Sequence, residues 1–131
     1  MDAALVARML ADYFRERSDL AAVYLFGSVA RGTAGAMSDI DVGVLYRSTP
    51  APTLEAQPFG DEAALSELFA RSVQVVAMNS APVDLVHRIL RDGILVLDLD
   101  RSRRIAFEVR SRNEYFDLLP RLREYRRRVA P

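Results

Sequence analysis

Between Ala21 and Tyr46 two strand signatures bracket a turn of small residues, and this passage restricts the possible folds more than any other. Ala21–Phe26 (AAVYLF) is a short apolar run stopped by Gly27, the pattern of a buried strand. Ser28–Gly35 is small and glycine-punctuated, a turn leading into a short helix. Asp39–Tyr46 (DIDVGVLY) sets Asp39, Asp41, Gly43 and Leu45 against Ile40, Val42, Val44 and Tyr46. That period of two predicts a strand with both carboxylates on one face.

The flanking segments alternate between helical and extended patterns. Within Asp2–Asp19, Leu5, Val6, Met9, Leu10, Tyr13 and Phe14 form one stripe at helical period. The three prolines of Arg47–Phe59 mark a loop. Gly60–Arg71 reads as a helix with Leu65, Leu68 and Phe69 inward, and Ser72–Met78 as a strand with Val73 and Val75 facing away from Gln74 and Val76. Asn79 and Ser80 are expected to cap the next helix, with Pro82 in its first turn. That helix should bury Val83, Val86, Ile89 and Leu90 and stop at Gly93. A fourth strand is expected at Ile94–Leu97. A basic helix should follow over about 102–128, turning Ile105, Val109, Phe116, Leu119 and Leu122 inward and kinked or divided at Pro120. The order α-β-α-β-loop-α-β-α-β-α predicts an α/β (α+β) fold: a single domain over 1–131, with one mixed sheet of about four strands flanked by helices.

Composition removes several kinds of chemistry. The 131 residues fit one domain, and half of them are apolar, enough for a real core. No apolar run reaches the roughly 20 residues of a membrane span. The charged N-terminal segment does not read as a secretory leader, so a cytoplasmic protein with no membrane partner is expected. There is no cysteine and a single histidine, His87, so thiolate and histidine-rich metal centres are excluded. His87 reads as a half-exposed helix residue. All 18 basic residues are arginine. With no lysine, phosphate must be bound by arginine, hydroxyls or backbone N–H groups.

The stretch Phe26–Val44, FGSVARGTAGAMSDIDVGV, carries the chemistry. Gly27 lets backbone approach a ligand closely. Ser28 offers a hydroxyl and free N–H groups suited to phosphate oxygens. Carboxylates at i and i+2 of one strand face have Cα atoms roughly 6–7 Å apart, a spacing that suits hard cations such as Mg²⁺. Two such ions about 3.5–4 Å apart stabilise the attacking and leaving oxygens of phosphoryl transfer.

Gly-Ser, ten residues, then Asp-x-Asp resembles the active-site signature of the DNA polymerase beta-like nucleotidyltransferase superfamily. With VQVVAMNSAPVDLVHRILRDGILVLDLD and the terminal EYFDLLPRLREYRRR, the chain resembles the minimal nucleotidyltransferases (MNT). These are the antitoxin partners of HEPN ribonuclease toxins. The resemblance implies a nucleotidyltransferase-like mixed sheet, Mg²⁺ and ATP as cofactors, and adenylyl transfer to a tyrosine of the cognate HEPN toxin in a hetero-oligomer. It implies that Asp39 and Asp41 are catalytic and bind metal, and that Gly27, Ser28, Arg31 and Ser38 bind nucleotide.

One position departs from the family pattern. Aligned on the following Asn-x-Ala-Pro, the third carboxylate of the superfamily is Gln74, a degenerate position. A neutral amide is a weak metal ligand and cannot act as a general base. The alternative reading is therefore a catalytically impaired antitoxin that neutralises its toxin by binding alone. Asp98 or Asp100 could instead supply the missing carboxylate from the end of the fourth strand. Transfer to RNA or a small molecule is a third reading, disfavoured because such relatives carry an additional substrate-binding domain.

Charge is divided along the chain. Residues 1–100 hold 8 Arg against 14 acidic residues, and residues 101–131 hold 10 Arg against 4. Tyr115, Phe116, Leu119, Leu122 and Tyr125 interleave with the terminal arginines. Arg, Tyr and Phe are enriched at protein interfaces, so docking to a toxin is expected ahead of direct RNA binding.

Overall fold

In a computed structural model, which describes residues 2–129, helix α1 spans Ala3–Phe14 and is capped by Asp2, whose carboxylate accepts from the Ala4 N–H at 3.0 Å. Its buried stripe is narrower than expected. Val6, Leu10 and Phe14 go inward, while Leu5 is exposed. Then come β1 (Leu20–Phe26), α2 (Gly27–Arg31), β2 (Ile40–Tyr46) and α3 (Phe59–Phe69). Strand β3 (Val73–Ala77) leads through a 3-10 turn at Met78–Ser80 into α4 (Val83–Asp92), β4 (Ile94–Asp98) and α5 (Arg101–Val129). The strands form one mixed sheet in the order β3-β2-β1-β4, with β2 and β3 parallel and both other pairings antiparallel.

Helices cover both faces. Val6, Leu10 and Phe14 of α1 and Leu65 and Phe69 of α3 pack with Val23, Leu25, Ile40, Val42 and Val44 in one apolar cluster. The opposite face joins Ala22, Tyr24 and Leu45 to Met78, to Val86 and Ile89 of α4, and to Phe107 of α5. A register shift between Leu20 and Ala22 places Leu20 in the first cluster and both Ala21 and Ala22 in the second. Strand β3 ends the sheet on one side, but its edge is closed. The Val73 N–H donates to Ser66 Oγ at 3.1 Å and the Val75 N–H to Glu62 Oε2 at 2.8 Å, both from α3. These side chains take up donors that an open edge would offer to another strand.

Four more local expectations are corrected. Leu68 points to solvent. Asn79 does not cap α4, whose N-cap is Pro82 without a side-chain hydrogen bond. Instead the Asn79 carboxamide accepts from the Tyr46 N–H at 2.8 Å and donates to the Tyr46 carbonyl at 3.0 Å. The parallel ladder pairs Val44 with Ala77. The Asn79 amide supplies the next rung as the chain leaves the sheet. Asn79→Ala is expected to cost about 2 kcal/mol, since two half-buried backbone groups lose their partners. Urea unfolding of the two proteins measures it.

The other two corrections concern α5. It is one continuous 29-residue helix that carries Pro120 inside it. Pro120 lies on an exposed stretch, where water can satisfy the carbonyl left without its helical donor. Ile105, Val109 and Phe116 are exposed, and Phe107 and Ser111 are the buried positions. Polar residues set this phase. The Tyr24 hydroxyl donates to Glu108 Oε1 at 2.6 Å, and Arg104 pairs with Glu108 at 3.0 Å and with Asp98 at 3.0 Å. A hydrophobic pattern cannot register a contact face that includes an ion-pair network.

Candidate active site

At Gly27 the chain passes from β1 into α2 with φ +76°, a left-handed conformation that glycine adopts without cost. A Cβ at this position would overlap Asp41 Oδ2. Hence the turn and the carboxylate occupy adjoining space that no side chain can share. Helix α2 ends at Gly32, φ +73°, whose N–H donates to the Val29 carbonyl at 3.2 Å.

Register completes the arrangement. Asp41 lies opposite Phe26 on β1 and beside Gln74 on β3. All three project from the sheet face that α4 covers. A cleft of about 410 Å³ opens there, lined by Gly27, Ser28 and Arg31 of α2, by Asp41 and Gln74 from the sheet, and by Arg88 and Asp92 of α4.

Asp41 is half-buried. Burial pushes its carboxyl above the ordinary range, the Asp39 charge adds to the shift, and Arg31 opposes it. Asp39 itself is exposed and lies immediately ahead of β2, so the strand starts one residue later than expected. Ser38 is drawn into the preceding turn. Its hydroxyl accepts from the Gly35 N–H at 2.9 Å, and its own N–H donates to the Gly35 carbonyl at 3.2 Å. Gly27, Ser28, Arg31, Asp41 and Gln74 are thus brought together, with Asp39 alongside, while Ser38 does not line the cleft.

Asp98 and Asp100 lie elsewhere. Antiparallel pairing sets Asp98 opposite Ala22, toward the start of β1, whereas the cleft is at its end. Asp98 pairs with Arg104, and Asp100 with Arg47 and Arg103. Neither can serve as a third carboxylate beside Asp41. His87 stacks on Tyr115 with ring centroids 3.5 Å apart, which places it between α4 and α5.

The donor set fits a divalent cation that arrives with a phosphate ligand. Among the described residues no group of three or more Asp, Glu, His or Cys is arranged to hold a metal. Asp39 and Asp41 would supply only part of an oxygen shell. The remaining ligands would come from nucleotide phosphates and water, as Mg²⁺ prefers. The space left by the missing side chain of Gly27 lies directly against the Asp41 carboxylate.

Sequence reading missed Arg88 and Asp92. Both belong to a helix whose apolar positions predict only what it buries. Their spacing from Leu85, at i+3 and i+7, gives them one helix face.

Comparison with known proteins agrees with this geometry. A family model described as Polymerase beta, Nucleotidyltransferase matches residues 8–102, and the chain belongs to this nucleotidyltransferase family. No curated protein matches it in sequence. Among solved structures, a chain of a toxin–antitoxin crystallised with AMP-PNP superposes with TM-score 0.74 at 23% identity, covering 94% of both chains. A chain of the complex between the tri-AMPylated Shewanella oneidensis HEPN toxin and its MNT antitoxin gives 0.70 at 21% identity. That match covers 97% of this chain and 94% of the other. A chain of the toxin–antitoxin MntA–HepT gives 0.68 at 20% identity, over 96% of this chain and 94% of that one. These proteins share the fold of the present chain over nearly its whole length.

Proposed function

We propose that this chain is the antitoxin of a HEPN/MNT toxin–antitoxin pair and transfers AMP from Mg-ATP to a tyrosine of its cognate HEPN toxin in the cytoplasm. The observation that carries this reading is the joining of Gly27, Ser28, Arg31 and Asp41 in one cleft, with Asp39 adjacent. Fold similarity to complexes holding AMP-PNP or an AMPylated HEPN toxin supports it. Among the described residues no helix is long and apolar enough to cross a membrane.

In the proposed reaction the tyrosine oxygen attacks the α-phosphorus, the bond to the β-phosphate oxygen breaks, and pyrophosphate leaves. Gly27 and Ser28 present backbone and hydroxyl to the phosphates. Arg31 offsets their negative charge with a planar, bidentate donor. Asp39 and Asp41 would hold Mg²⁺, which would neutralise developing phosphate charge. The phenolic proton passes to a carboxylate, for which these two aspartates are the candidates in the cleft. The basic, partly apolar face of α5, with Phe116 and Tyr125 exposed, is the proposed contact with the toxin.

A second reading rests on Gln74. Beside Asp41, where a carboxylate would complete the metal site, this chain has an amide. Inhibition by complex formation alone needs no third carboxylate. Intact-mass measurement of the toxin, co-expressed with this chain and with its Gln74→Asp variant, separates the two. We expect the toxin to gain mass in whole AMP units with both proteins, and faster with Gln74→Asp. A gain only with the variant would assign this chain to binding alone. No gain with either, while the complex stays intact, would overturn the transferase reading.

A further inference from the structure

Helix α4 presents three distinct faces. Val86 and Ile89 are buried against the sheet. His87 and Leu90 line the groove toward α5. Leu85, Arg88 and Asp92 face the nucleotide cleft. On that third face the charges are unevenly satisfied. Asp92 is held by its neighbour Arg91 through bonds of 2.9 and 2.8 Å, so the carboxylate one turn from Arg88 is already engaged. Arg88 itself makes no hydrogen bond or ion pair among the described residues, and neither does Arg31 of α2, whose charge acts on both Asp41 and Asp92. Arg17, Arg47 and Arg104, by contrast, are committed to ion pairs.

We propose that Arg88 of α4 grips the terminal phosphates of a nucleoside triphosphate in the cleft it shares with Arg31, and so makes the cleft selective for triphosphate over monophosphate. This rests on the nucleotide-binding reading of the cleft. Asp41 and Asp92 line the cleft, with Asp39 alongside Asp41, and their carboxylates repel a polyanion. The Arg31 and Arg88 guanidinium groups offset that repulsion and add forked donors that match phosphate oxygens. Gln74 belongs to the same device. A carboxylate there would line the same cleft as Arg88 and compete with phosphate for it. The amide leaves the guanidinium free. The substitution that weakens the metal site therefore strengthens direct phosphate binding, and nucleotide should bind appreciably without metal.

Calorimetric titration of the full-length protein with ATP and with AMP, each in Mg²⁺ and in EDTA, tests the proposal. Arg88→Ala is expected to weaken ATP roughly tenfold or more in both conditions and to leave AMP nearly unchanged. Gln74→Glu should weaken ATP in EDTA in the same direction by pairing with Arg88. Arg88→Gln serves as a second variant of similar volume, and thermal melts show whether each is folded. Unchanged ATP affinity in both Arg88 variants, or equal losses for ATP and AMP, would overturn the role of Arg88 and leave the nucleotidyltransferase reading standing. Failure of the unaltered protein to bind ATP in either condition would overturn both.

Discussion

Replacing Gly27 by alanine is expected to abolish nucleotide binding and to lower stability by roughly 1–3 kcal/mol. The new Cβ meets two penalties at once. It must adopt φ near +76°, where a side chain is strained. It also overlaps the end of the Asp41 carboxylate, which must swing away from the turn to make room. The backbone turn and the carboxylate would move apart, and both are proposed to touch the phosphates. Calorimetry with ATP and a thermal melt check the two effects separately. A Gly27→Ala protein that binds ATP normally would show that the turn does not hold the phosphates.

Asp41→Asn is expected to move activity and stability in opposite directions. Loss of the carboxylate removes a charge from the proposed metal site, and AMP transfer should fall on the order of 10²–10³-fold or more. The folded protein should nonetheless become more stable at neutral pH. Burial, with Asp39 adding, raises the Asp41 carboxyl above its unfolded value, so the folded state binds this proton more tightly. Its ionisation therefore costs stability. The cost is absent below the unfolded carboxylate range, grows as pH rises through it, and is complete above the raised folded value. Asn carries no such cost, so the gain in melting temperature should shrink as pH falls into the carboxylate range. Melts of both proteins across acidic and neutral pH, without added metal, measure this. A variant less stable at every pH would show that the Asp41 charge is satisfied by the apo fold.

Much of the fold was legible because burial dictates the apolar periodicities. The element order, the two faces of β2 and the separation of Val73 and Val75 from Gln74 all follow from pleat geometry. Helix α5 was misread for the complementary reason. Its contact face is fixed by Glu108, Arg104 and the hydroxyl of Tyr24, groups that a hydrophobic stripe does not register. Asn79 stands where a capping residue would, yet its amide bonds to Tyr46, a partner 33 residues away. Ser38 lies beside the two aspartates in sequence, but its hydroxyl closes the turn at Gly35.

The sequence alone determined the alternation of strands and helices, the Gly-Ser turn and the Asp-x-Asp pair at the head of β2, because these depend on residues within a few positions of one another. Strand register and helix packing decided the rest. The parallel ladder sets Gln74 beside Asp41. Antiparallel pairing directs Asp98 toward the other end of the sheet. The seating of Val86 and Ile89 on the sheet turns Arg88 toward the cleft. Each relates residues far apart in the chain, and only the closing of the sheet brings Asp41, Gln74 and Arg88 to one cleft.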